Sequence, residues 1–125
     1  MTDLLTLTTF PKDAHLAPQA FDRACARLQT ALTQHTDAAN SLAEARCSLE
    51  FKRAELLCGG IDGKNAEARD AALRLKLFDE HAEVLGLEVA LAEAKGELEQ
   101  ARLAWDCLRY KLRLLEPQQN LKRVA

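Results

Sequence analysis

The sequence predicts an all-α protein: a long antiparallel two-helix coiled-coil hairpin that assembles into a four-helix dimer. Three observations predict it. Leu77, Val84, Leu91, Leu98, Trp105 and Leu112 recur at every seventh position, and Glu80, Leu87, Ala94, Ala101, Leu108 and Leu115 follow three positions behind them. Sustained a/d heptads of this kind mark a coiled-coil seam, with Glu80 the one discordant member. An earlier heptad runs through Phe21, Leu28, His35, Leu42, Leu49 and Leu56, accompanied by Ala24, Ala31, Ala38, Ala45 and Lys52. Between the two lies Cys58-Gly59-Gly60-Ile61-Asp62-Gly63-Lys64-Asn65, a turn by composition.

In chain order, residues 1–17 form an arm. Leu4, Leu5, Leu7 and Phe10 among threonines suggest an extended piece ended by Pro11, read as a partly ordered terminus or a clip for a partner. A helix is expected over 18–58, because Pro18 suits a first turn, where its missing N–H costs nothing. Its back carries Arg23, Gln29, Thr33, Asp37 and Asn40, so one side alone is apolar. In the turn, 59–65, glycine accepts the positive φ that ends a helix and Asn65 caps the next one. A single uninterrupted helix is expected over 66–116, about 50 residues and roughly 75 Å long at ~1.5 Å per residue. Pro117 is expected to stop it, leaving 117–125 as a frayed tail.

A fold-back centred on Gly63 places Phe21 opposite Trp105, Leu28 opposite Leu98, His35 opposite Leu91, Leu42 opposite Val84 and Leu49 opposite Leu77. In the alternate layers Ala24 meets Ala101, Ala31 meets Ala94, Ala38 meets Leu87, and Ala45 meets Glu80, near Arg46 or at a partner surface. This register predicts alternating bulky and alanine layers, with the helices toward the near end of the ~8–10 Å spacing range.

The back of the second helix is not polar. Leu75, Phe78, Ala82, Leu85, Val89, Ala92, Gly96, Leu103 and Tyr110 cluster on a second side at ~100° per residue. A helix apolar on two sides needs two partners. One seam is also a thin core: a fully buried Leu or aromatic contributes ~1.5–3 kcal/mol, against ~1–2 kcal/mol of backbone entropy per ordered residue. The expected interface, with a second copy or with a host protein, is Leu75, Phe78, Ala82, Leu85, Val89 and Leu103.

A net charge of -2 argues against a strongly basic nucleic-acid or membrane binder. The 5% aromatic content argues against a large mixed core. Four cysteines, Cys25, Cys47, Cys58 and Cys107, have no C-x-x-C or zinc-like spacing and read as free thiols of a reducing cytoplasm. The first residues make a poor signal peptide, and no stretch approaches the ~20 apolar residues of a membrane span. A cytoplasmic protein that does not engage a membrane is expected.

No grouping points to catalysis, a cofactor or a metal. His35 lies in the seam, where a polar residue more often sets register than chemistry, a pH-sensitive seam being the alternative. His15 and His81 share no metal-binding spacing. The Gly59–Lys64 run lacks the G-x-x-x-x-G-K-[ST] spacing of a phosphate loop and the strand before it. Charge is segregated. Seven acids stand against Lys95 between Asp79 and Glu99, and bases dominate beyond Arg102. Arg109, Lys111 and Arg113 are therefore the candidate phosphate contacts of an alternative, nucleic-acid-associated reading. A second candidate patch, Lys52, Arg53, Lys64, Arg69 and Arg74, surrounds the turn.

The turn and helix start, Gly60-Ile61-Asp62-Gly63-Lys64-Asn65-Ala66-Glu67-Ala68-Arg69-Asp70-Ala71, resembles a segment of small helical proteins encoded by phages and prophages. There a G-x-N-A-E-x-R-x-A element similarly joins two long helices. The likeness covers about residues 49–115. It implies a mobile-element origin and a role in binding, and it carries over no catalytic residue. The expected function is a non-enzymatic protein-interaction module, probing a partner through the second stripe, the arm or the turn.

Overall fold

A computed structural model describes residues 17–124, with side chains over 17–115. The regular elements among them are three helices: α1 (Pro18–Cys58, 41 residues), α2 (Ala66–Lys76, 11 residues) and α3 (Phe78–Val124, 47 residues). The two long helices pack together as a hairpin. Of the arm expected over residues 1–17, all but Ala17 lies outside the described residues.

The turn is built from the residues its chemistry requires. Gly59 N–H still donates to the Glu55 carbonyl at 2.9 Å, and Gly60 then turns the chain at φ +82°, a conformation that a Cβ disfavours. Asn65 is extended, and its Oδ1 accepts the Ala68 N–H at 2.8 Å, capping α2. Gly63 is required for space. A Cβ there would stand 2.7 Å from Arg69 Cγ and 2.8 Å from Arg69 N, so the first turn of α2 packs directly on the bare backbone.

Two corrections concern the second long helix. It is interrupted at Leu77, whose φ of -103° and ψ of 18° leave the α region. The ladder survives: Leu77 N–H donates to the Leu73 carbonyl and His81 N–H to the Leu77 carbonyl, both at 2.9 Å. The distortion falls where Leu73 and Leu77, one turn apart, are both buried and Phe78 must stay outside. Nor does Pro117 stop the helix, since α3 continues to Val124. Proline removes one hydrogen bond and bends the helix. Gln118, Gln119, Leu121, Lys122 and Arg123 around Asn120 are good or adequate helix formers and carry the backbone on.

Two compact units partition the chain. One joins the stretch as far as Thr33 to the stretch from Gly96 onward, and the other is Gln34–Lys95. In the first, Ala31 and Ala101 are almost fully buried and share a cluster with Leu98, against which Leu28 packs. Phe21 and Trp105 meet edge to face, ring centroids 6.3 Å apart at 88°. Leucine and alanine of both helices share one cluster here, with Leu28 and Leu98 both in it. Leu112, an expected seam member, is 46% exposed. It lies near the seam's open end, where α1 is only beginning. In the Gln34–Lys95 unit the seam buries Leu42, Leu73, Leu77 and Val84, and His35, Leu49, Leu87 and Leu91 are half-buried. The cross-helix pairs of this unit, Arg46 with Glu88 and Lys52 with Glu80, run in opposite chain directions, as an antiparallel hairpin requires.

Gly63→Ala should lower the unfolding free energy by about 1–2 kcal/mol, because the first turn of α2 must move. Gly86→Ala meets open space and should raise it by about 0.5–1 kcal/mol through helix propensity alone. Urea titration followed by circular dichroism measures both, and equal effects of the two substitutions would contradict this account of the turn.

Candidate protein-interaction surface

In the Gln34–Lys95 unit, the side of the second long helix facing away from the seam is apolar and uncovered. Leu75 is 79% exposed, Phe78 67%, Leu85 61% and Val89 58%, and Ala82 and Ala92 between them are exposed too. Leu75 belongs to α2 and the others to α3. Two hydrogen bonds, Leu77 N–H to Leu73 and His81 N–H to Leu77, continue the ladder across the Leu77 distortion between them. Leu91 and Val84 of the same stretch turn the other way, half-buried and buried. The two apolar sides separate as the periodicity predicts.

In the other unit, Leu103 and Tyr110 are each 65% exposed. The positions that should complete a seam beside them hold Glu99, Asp106 and Arg113. Within the Gln34–Lys95 unit the exposed apolar positions of this side run from Leu75 to Ala92, and the expected interface residue Leu103 belongs to the other unit. Two exposed apolar residues of α1, Phe51 and Leu57, did not emerge from the sequence. Each stands alone on the helix without a seven-residue repeat, so periodicity gives no signal for it.

The flanks of the Gln34–Lys95 unit differ in charge. On one, Arg53, Asp70, Leu73, Arg74, Leu77 and His81 line a hollow of about 230 Å³, and Arg74 and His81 also border a hollow of about 250 Å³ with Phe78. The opposite flank holds a hollow of about 430 Å³ lined by Ser41, Glu44, Ser48, Glu83 and the Lys52–Glu80 pair. Lys52 Nζ donates to Glu80 Oε1 at 3.3 Å, while Glu80 Oε2 has neither solvent nor a hydrogen-bond partner. Ala45 lines the same hollow, but the cation at Glu80 is Lys52, and Arg46 bonds Glu88 instead at 3.0 Å. The turn patch is accordingly split between two flanks, and Arg69 is tied to the Asn65 carbonyl.

The Glu80 carboxyl is held below the ordinary glutamate value, first by its own backbone N–H and then by Lys52, against the pull of burial. In the other unit Arg27 clamps Glu97 through two bonds, 2.8 and 3.3 Å. That hydrogen bonding, ahead of simple charge attraction, lowers the Glu97 carboxyl and raises the Arg27 guanidinium. The Arg27–Glu97 pair is solvated and the Lys52–Glu80 pair is open to water on its lysine side, so each contributes modestly.

Of the candidate phosphate contacts, Arg109 and Arg113 border a shallow hollow of about 210 Å³ with Tyr110 and Asp106. Arg109 stands 3.9 Å from Asp106, and Lys111 does not line the hollow. Cys25 is half-buried and Cys47, Cys58 and Cys107 are exposed, all as free thiols. Among the described residues no group of His, Cys, Asp or Glu is placed to hold a metal ion, and no helix is long and apolar enough to cross a membrane. No family model, no curated protein and no solved structure matches the chain.

Because Glu80 and Glu97 are lowered in the folded chain, their contribution is complete above the ordinary value near 4.5 and is lost as pH falls through the lowered values. Acid titration of stability should therefore show a loss below about pH 4.5 that Glu80→Gln and Glu97→Gln each flatten. An acid limb of unchanged slope in both variants would contradict the assignment.

Proposed function

We propose that this chain is a non-enzymatic α-helical interaction module that pairs with a second copy of itself through Leu75, Phe78, Ala82, Leu85 and Val89, burying two hairpins into a four-helix assembly. One observation carries the reading. Four large apolar side chains lie more than half exposed on one side of a unit whose seam is already covered by α1. Contiguous exposed apolar surface on a small protein marks an interaction site more often than chance. A helix covered on one side and greasy on the other is incomplete by itself. The free thiols accord with action in a reducing compartment such as the cytoplasm. A mobile-element origin, as the turn motif suggests, accords with a small binding protein lacking a catalytic constellation.

A second reading rests on Arg109 and Arg113 beside exposed Tyr110, a cation-and-aromatic grouping able to meet nucleic-acid phosphate and base. Asp106 in the same hollow opposes it, so the protein-binding reading is preferred.

Sedimentation equilibrium tests the choice. A dimer is expected at micromolar concentration, and Val89→Glu should weaken it by at least about 100-fold, the scale of burying an unpaired charge, with helicity unchanged. A wild-type chain that stays monomeric, or a Val89→Glu variant that dimerises normally, would remove the reading. Binding of labelled DNA that falls steeply between low and moderate salt would favour the second one.

A further inference from the structure

The exposed stripe of the Gln34–Lys95 unit has two edges of opposite charge, and their arrangement fixes how a second copy would lie. Taken as a seam, the stripe has Leu75, Ala82 and Val89 on one row and Phe78, Leu85 and Ala92 on the other, three residues on. The residues just before the first row form one edge: Arg74, His81 and Glu88. The residues just after the second row form the other: Asp79, Gly86 and Glu93. Glu88 is neutralised by Arg46 across the hairpin. Arg74, Asp79 and Glu93 are exposed, and none of them makes an ion pair among the described residues. One edge therefore presents an unengaged cation at Arg74 and the other presents unengaged carboxylates at Asp79 and Glu93.

Two helices that meet face to face bring unlike edges together when parallel and like edges together when antiparallel. Antiparallel packing would set the Asp79 and Glu93 carboxylates of one copy along those of the other. Parallel packing in register sets Arg74 of each copy five residues behind Asp79 of the other, the spacing at which flanking charges meet across a parallel seam, and sets Glu88, already paired with Arg46, behind Glu93. A two-fold axis along the helices makes that contact twice. Resting on the dimer reading given above, we propose that the stripe is occupied by a second copy lying parallel to the first, with Arg74 of each copy against Asp79 of the other.

Charge reversal separates this arrangement from its mirror. In sedimentation equilibrium at about 50 mM salt, Arg74→Glu and Asp79→Arg should each weaken the wild-type dimer about ten-fold, because two exposed pairs become two repulsions. An equal mixture of the two variants should recover wild-type affinity, since each heterodimer regains both attractive contacts. The double variant Arg74→Glu/Asp79→Arg should dimerise as wild type does. Circular dichroism checks that each variant stays helical. Should Asp79→Arg lose helicity, Asp79→Asn replaces it, with a smaller loss of affinity expected. Tighter dimerisation of Asp79→Arg or Asp79→Asn would mean like edges meet, and a mixture that shows no recovery would mean Arg74 and Asp79 do not face each other. Either result overturns the parallel arrangement while leaving the dimer standing. A monomeric wild-type chain overturns both.

Discussion

The structure depends on a seam only two helices wide. A hairpin closed by one seam gives each helix a single covered side, so burial is shallow by construction. The most deeply buried residues are Ala31 and Ala101, and among the described residues no large side chain is completely withdrawn from solvent. Phe21 and Trp105 supply the bulkiest contact of their unit and still remain half-exposed. Alanine at the centre lets the helices approach, and flanking leucines close over the gap. Hydrophobic stabilisation scales with apolar area removed from water, so such a seam leaves a narrow margin over the entropy of ordering long helices. That margin is the physical reason the uncovered stripe matters.

Charge in this chain works at the edges of that seam. Arg27 with Glu97, Arg46 with Glu88 and Lys52 with Glu80 each bridge α1 to α3 beside the apolar rows. Exposed pairs of this kind add little energy individually. Their spacing along both helices nevertheless favours this register over a one-heptad slip toward the start of α1, which would place Glu80, Glu88 and Glu97 against Ala45, Ala39 and Ala20. The acid-rich composition of α3 after Phe78 is thus partly structural: three of its carboxylates are claimed by α1, and the rest remain for the outside.

The sequence disclosed the periodic features and concealed the aperiodic ones. Seven-residue spacing gave both helices, the fold-back, the Phe21–Trp105 contact and the outward stripe from Leu75 to Val89, because side-chain direction follows position on a helix. Local chemistry gave the Asn65 cap and the glycine turn. Leu73 escaped notice although it stands seven before Glu80, since a charged residue next in the row broke the pattern. Phe51 escaped because a lone exposed aromatic has no period. Lys52 rather than Arg46 at Glu80 was illegible for a different reason: heptads fix which rows meet, and sliding one row along the other by a heptad preserves the pattern. At Pro117 a general rule about helix stops lost to the propensities of the residues that follow.

The separation in sequence of the bridging pairs carries a consequence for how the chain assembles. Lys52 reaches Glu80 across 28 positions and Arg46 reaches Glu88 across 42, whereas Arg27 must find Glu97 across 70. Loop-closure entropy rises by about 0.6 kcal/mol for each doubling of the intervening chain. Contacts beside the turn are therefore the least costly to nucleate, and each one shortens the loop that the next must close. Loop closure therefore favours assembly outward from Gly60 in the manner of a zipper, with the Phe21–Trp105 contact closing a still longer stretch of chain.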